Sequence, residues 1–262
     1  MWWHLSRSQK ATSRDSRPAG PYHQFASAGD AVSRLSQERH AEHGGSPSFR
    51  LPNGLSFSVA EAQSRLERFC QEEFDYYDAF LDQAPFRIDP IDVIVTKSMN
   101  SRVNEADRIR FVHRALVERC NPLLPAIPVD ADLMTYDPDL TNLRRLIHAA
   151  VQTPGVKVAV ATKVLYRKRR NYIPMIDSYF IKHYGRLLSR PDWYEMSQFP
   201  ATAAEVAVEV TRAFREDLRH AMPFIQSLRR NLTTTGFDLS PVRILDVLIW
   251  TQIEPNGYYR YR

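Results

Sequence analysis

Between Val151 and Lys157 the chain reads Val-Gln-Thr-Pro-Gly-Val-Lys, and between Asn171 and Asp177 it reads Asn-Tyr-Ile-Pro-Met-Ile-Asp. The first stretch predicts a tight reversal between two helices. Leu143, Ile147 and Ala150 or Val151 fall on one face of a helix over about Thr141 to Val151. A new helical pattern starts near Lys157 and runs to about Lys168. Pro154-Gly155 centres the reversal, and glycine admits the positive φ that so short a turn often needs. The first N–H groups of the second helix then lie beside the turn, which suits a phosphate. The second stretch is extended at Ile173-Pro174, because proline disfavours the helical region for the residue before it. A further helix follows Asp177.

Outward from this centre the pattern stays helical. Ser58-Val-Ala-Glu61 is a capping box ahead of Leu66, Phe69 and Cys70. Helices are predicted near Pro90 to Met99 and from about Glu105 to Arg119. Four prolines (Pro122, Pro125, Pro128 and Pro138) make residues 121–138 an irregular connection. Thr202-Ala-Ala-Glu205 predicts a second capping box, opening a helix with Val206, Val210, Phe214 and Leu218. A separate, shorter helix is predicted from Pro223 to Leu232. Ser240 and Pro241 open the last helix, whose residues Ile244 to Trp250 are apolar nearly all round. Strand signals are few, so the predicted class is all-α.

Residues 1–50 are rich in Ser, Arg, His, Ala and Gly without helical or strand period, and read as a disordered tail. Residues 51–262 read as the helical domain, with the hairpin and its following helix at 141–187. The chain has 262 residues and a formal net charge of +5. Seven basic and four acidic side chains lie in residues 1–50, so the folded part is nearly balanced and any anion-binding role must rest on a local cluster. No apolar run is long enough to cross a membrane. Cys70 and Cys120 give neither metal spacing nor a disulfide framework, so no metal and no cofactor is expected, and the low count fits a reducing, cytoplasmic setting.

Two features carry chemistry. Lys163, Arg167 and Arg170 are spaced four and three apart, and from Lys163 onward five of eight residues are basic. This is either a solvated face or a phosphate-binding one. Asp177 precedes a helix after a proline-fixed stretch, so it is either an N-cap or a reactive carboxylate.

The pattern Pro154-Gly155-Val156, Ala161, Leu165, Ile173-Pro174-Met175-Ile176-Asp177-Ser178-Tyr179 resembles the signature of the helix-hairpin-helix DNA glycosylases. Asp177 lies twenty-two residues after Gly155, the count that separates that family's hairpin glycine from its catalytic aspartate. Tyr179 and Gly185 also match one branch. The wording around Lys163-Val-Leu-Tyr-Arg-Lys-Arg and Ile-Pro-Met-Ile-Asp177-Ser is similar to an uncharacterised bacterial family of unknown function. The resemblance covers roughly residues 140–187 and implies two helical subdomains with a cleft between them. It implies DNA rather than RNA as partner, contacts from Gly155, Lys157, Lys163, Arg167, Lys168 and Arg170, and Asp177 as the catalytic residue. Departures narrow the chemistry. Lys157 replaces the second hairpin glycine, Ala159 stands where bifunctional members place a Schiff-base lysine, and the four-cysteine iron–sulfur loop has no counterpart.

An enzyme of this kind would be a monofunctional base-excision hydrolase. It needs one carboxylate to stabilise an oxocarbenium-like transition state and orient a water, acting on a flipped base. Tyr172, Tyr179 and Trp193 are candidate stacking groups or core residues, and Asp246 is a second acid or a partner of Arg243. The C-terminal Tyr258-Tyr-Arg-Tyr-Arg262 is a stacking segment or a frayed end. The alternatives to the enzyme are a non-catalytic nucleic-acid-binding protein and a protein-interaction module that keep the fold alone.

Overall fold

The computed structural model describes residues 48–73, 77–79, 84–99 and 106–253. Most of the expected tail, the start of the helix expected at Glu105 and the Tyr258–Arg262 segment lie outside the described residues. The described part is predominantly helical, as the sequence predicts, with a two-stranded antiparallel sheet.

That sheet takes up the end of the expected tail. Strand β1 (Ser48–Arg50) pairs with β2 (Ser56–Ser58), with Phe49 opposite Phe57. Gly54, at φ +86°, closes the turn, where Leu51 N donates to Leu55 O at 2.8 Å. Asn53 pins the turn to the helical body. Its N–H donates to Asp217 Oδ1 at 3.0 Å, and Tyr184 donates to Asp217 Oδ2 at 2.6 Å.

The helices follow in order: α1 (Val59–Glu73), α2 (Pro90–Ile94) running into a 3-10 turn (Val95–Met99), α3 (Ala106–Cys120), α4 (Thr141–Val151), α5 (Val158–Tyr166), α6 (Ser178–Leu187), α7 (Trp193–Met196), α8 (Pro200–Thr234) and α9 (Pro241–Ile253). Ser58 Oγ accepts from Glu61 N, and Ser240 Oγ accepts from Arg243 N, both at 3.1 Å, so these two predicted caps form. Helix α4 is capped from outside. The Asp137 carboxylate accepts from Thr141 N at 3.0 Å and Asn142 N at 2.7 Å. It also accepts from the Tyr172 hydroxyl at 2.7 Å.

Two helix boundaries differ from expectation. Pro200 at the first helical position starts α8 two residues before Thr202, whose hydroxyl donates to Met196 O rather than capping. The same helix then continues through Pro223, so the separate helix expected at Pro223 is the second half of α8. An interior proline costs roughly 3 kcal/mol. Burial of Ile225, Leu228 and Leu232 contributes about 1.5–3 kcal/mol each, which exceeds that cost.

One continuous core runs from Leu51 to Ile249 and joins elements from both ends of the described chain. The two subdomains expected from the sequence therefore do not have separate main cores. A small satellite cluster holds Tyr77, Val95, Tyr166 and Met175. Helices α4 and α9 both lie against the long α8.

Because Pro223 is exposed, Pro223→Ala should stabilise the protein by about 1–3 kcal/mol, read as a higher Tm. An unchanged or lower Tm would mean that the proline ring is required by the packing on either side.

Candidate functional site

The reversal between α4 and α5 has a defined geometry. Val156 N donates to Thr153 O at 2.9 Å, and Gly155 sits at φ +81°. Proline followed by a positive-φ glycine, closed by this bond, is the arrangement of a type II turn. A Cβ on Gly155 would lie 3.1 Å from Arg108 Nη2, so the α3 guanidinium lies directly over the turn. Lys157 then forms the N-cap of α5 with φ −100° and ψ 172°. That is ordinary extended backbone, so lysine in place of a second glycine costs the turn nothing. Its ammonium is exposed and donates to Gln198 Oε1. No side chain caps α5 at its start.

A single hydroxyl sets the register of the second element. Thr162 Oγ1 donates to Val158 O and accepts from Ile176 N at 3.0 Å. This fixes the extended stretch against α5 and brings Asp177, next after Ile176, into electrostatic contact with Lys163, next after Thr162. Asp177 caps α6, with Oδ1 accepting from Tyr179 N at 2.8 Å and Phe180 N at 3.1 Å. Its carboxylate also accepts from the Trp250 side chain. Burial pushes the Asp177 carboxyl above its usual range, against the pull of the Phe180 N–H and the Lys163 charge. Burial likewise lowers Lys163, against the Asp177 charge. Both residues remain partly exposed. An acid raised and an amine lowered at one place bring their protonation equilibria together, the condition for acid–base work.

Behind this pair lies a buried ionic centre. Arg243 Nε meets Asp78 Oδ2 at 3.2 Å, and Nη1 donates to Asp246 Oδ2. The guanidinium lies over the rings of Phe69, Tyr77 and Tyr166, at 4.8 Å from the first. Burial alone would lower Arg243, and the Asp78 and Asp246 charges more than reverse it. Burial pushes Asp246 up to about 7, against the Arg243 charge. Asp246 is thus a partner of Arg243 that also feels the Asp177 charge. The sequence singled out Arg243 and Asp246 but missed Asp78, which carries no motif or spacing signal.

The basic run is divided among several environments. Helix α5 ends at Tyr166, and the chain then turns, with Lys168 N donating to Leu165 O and Tyr172 N to Arg169 O. The helical spacing expected to align Lys163, Arg167 and Arg170 therefore stops short of the last two. Arg167 Nε and Lys168 Nζ both reach the buried Asp92 carboxylate, at 2.8 and 2.6 Å, with their side chains 3% and 0% exposed. Arg169 is fully buried and donates to Ile127 O, Pro85 O, Lys168 O and Leu124 O at 2.6–2.8 Å. Arg170 turns the other way, onto Asp238 O and Oδ2. The run is neither the solvated face nor the exposed phosphate stripe of the sequence reading. Gly155 and Lys157 remain at the surface. Tyr172 and Trp193 are core residues, while Tyr179 is partly exposed. Among the described residues no group of three His, Cys, Asp or Glu side chains comes together as a metal site, and no helix is long and apolar enough to cross a membrane.

A model of the family of unknown function DUF6308 matches residues 60–253, from the first turn of α1 to the last residue of α9. The chain belongs to this family. The match therefore takes in the hairpin, Asp177 with Lys163, and the Arg243 centre together. No curated protein and no solved structure matches the chain.

Arg169→Ala would take away four hydrogen bonds to carbonyl oxygens, of which Leu124 O keeps the Ile127 N–H, and should destabilise the protein by about 3–5 kcal/mol. Denaturant unfolding measures this, and a loss under 1 kcal/mol would mean that water replaces the guanidinium. Asp246 gives a pH signature. Its carboxyl keeps a proton up to about 7 when folded and up to about 4 when unfolded. Its contribution to stability is therefore fully present below about pH 4 and lost as pH rises to about 7. From pH 5 to pH 8 the parent should lose stability relative to Asp246→Asn, and a constant difference would mean that Arg243 keeps Asp246 ionised throughout.

Proposed function

We propose that this chain binds DNA through the α4–α5 hairpin and acts as a monofunctional base-excision hydrolase on a glycosylase-like scaffold, with Asp177 as its catalytic carboxylate. The observation that carries the reading is the meeting of Asp177 and Lys163 at a partly open position, in the chain segment that begins with the hairpin. An ionised Asp177 there would stabilise positive charge developing on a deoxyribose carbon and orient the attacking water. Lys163 would hold that carboxylate ionised and fixed in direction. The hairpin supports DNA as the partner. Its type II turn, the uncapped start of α5, and the cations of Arg108 and Lys157 together offer donors and positive charge to a backbone phosphate.

A second reading is a DNA-binding protein without excision activity. It draws on the use of Asp177 Oδ1 as the cap of α6. Asp177→Asn separates the two readings, since asparagine caps a helix about as well as aspartate. Duplexes carrying different damaged bases, treated with the protein and cleaved at abasic sites with alkali, measure excision. The parent should excise at least one base, and Asp177→Asn should lose that activity while binding the same duplex and keeping the parent's Tm. Equal excision by both proteins would end the assignment to Asp177, and a parent inactive on every lesion would favour the non-catalytic reading.

A further inference from the structure

The described residue with the most exposed large hydrophobic side chain is Phe199, at 63%. It is the N-cap of α8 and follows Gln198, whose side chain holds the Lys157 ammonium. On α3, whose Arg108 lies over the turn, Phe111 is 52% exposed and stands one turn after Arg108, at the spacing that shares a helix face. Gly155 and Lys157 are two residues apart, so their Cα atoms are within about 7 Å of each other. The hairpin tip therefore carries two cations, Arg108 and Lys157, with Phe111 one turn along α3 from the first and Phe199 next in sequence to the residue that holds the second. Rings this exposed add little to folding, because the hydrophobic gain depends on area removed from water.

We infer that this surface is a binding site for single-stranded DNA, with the two cations contacting successive phosphates and Phe199 stacking on an unpaired base. The inference rests on the proposed DNA-binding role of the hairpin and names the form of DNA it takes. Charge complementarity selects the polyanion. The rings select the strand state, since a base inside a duplex is covered on both faces by its neighbours, whereas an unpaired base presents a free π-face. Arg108 and Phe111 lie outside the segment that carried the sequence resemblance, and Phe199 lies beyond its other end.

Fluorescence anisotropy on the full chain with labelled oligothymidylate, and with a duplex of the same length, tests this. Single strand should bind more tightly than duplex at equal salt. Phe199→Ala, which removes an exposed ring and should leave the circular dichroism unchanged, should weaken single-strand binding roughly tenfold and leave duplex binding as it was. Arg108→Gln with Lys157→Gln should weaken both and flatten the salt dependence. Preference for duplex, or single-strand binding unaffected by Phe199→Ala, would overturn the inference while leaving the hairpin as a DNA site. Absence of binding to either probe would overturn the inference and the hairpin reading with it.

Discussion

Taking three consecutive cations out of water is the constraint around which this structure is arranged. Arg167, Lys168 and Arg169 follow α5 without a break and are all buried. An isolated buried charge costs far more than a protein's net stability, so each must be paired or fully hydrogen-bonded. Asp92 answers two of them with its two carboxylate oxygens, and backbone carbonyls answer the third. The consequences spread outward. Asp92 has to sit on α2, where it also accepts from Asp89 N to complete that helix's capping box. The proline-rich connection has to pass close enough for Leu124 and Ile127 to present their carbonyls. Its irregular course is thus the shape required by a guanidinium with several donors in a fixed fork.

The second buried centre works on the same principle with a different outcome. Arg243 is enclosed by two carboxylates and three aromatic rings. It joins Asp78, before α2, to α9, and α9 also supplies Asp246 and Trp250. Tyr77 donates to Lys163 O, and Tyr166 donates to Asp78 Oδ1 at 3.2 Å, so the centre also grips α5. Asp177 and Lys163 lie at its outer edge, coupled to it by charge. A pair held in this way has little freedom to reorganise, which is what a preorganised electrostatic site requires. The same rigidity would serve a protein whose Asp177 is only a cap, and for that reason excision, not geometry, separates the two readings. Membership of DUF6308 ties hairpin, pair and buried centre to one matched segment without assigning any of them a role.

Much of the fold is present in local sequence because its signals are local. The type II turn at Pro154-Gly155 and the caps at Ser58 and Ser240 depend on residues a few positions apart. Asp177 as an N-cap follows equally from its neighbours. The α4 boundaries also emerge as predicted, since a strong apolar face ends at Pro-Gly. The β1–β2 pair escaped because three-residue strands are too short to display a period of two. The continuity of α8 escaped because local preference at Pro223 opposes it, and only the distant core burying Ile225 and Leu228 outweighs that preference.

The sequence by itself determined a predominantly helical chain with a Pro-Gly hairpin and an aspartate at a fixed distance beyond it. These features rest on backbone dihedrals and helical period, which neighbouring residues control. The tertiary structure alone decided where the charges go. Arg167 and Lys168 read as a surface stripe until α5 ends at Tyr166 and Asp92 arrives from seventy-five residues away. Asp78 has no local signature and acquires meaning only through Arg243. Arg108 reaches the hairpin from α3, and Gln198, just ahead of α8, reaches its Lys157. Solvation of a side chain depends on everything that surrounds it, and for these residues the surroundings come from remote parts of the chain.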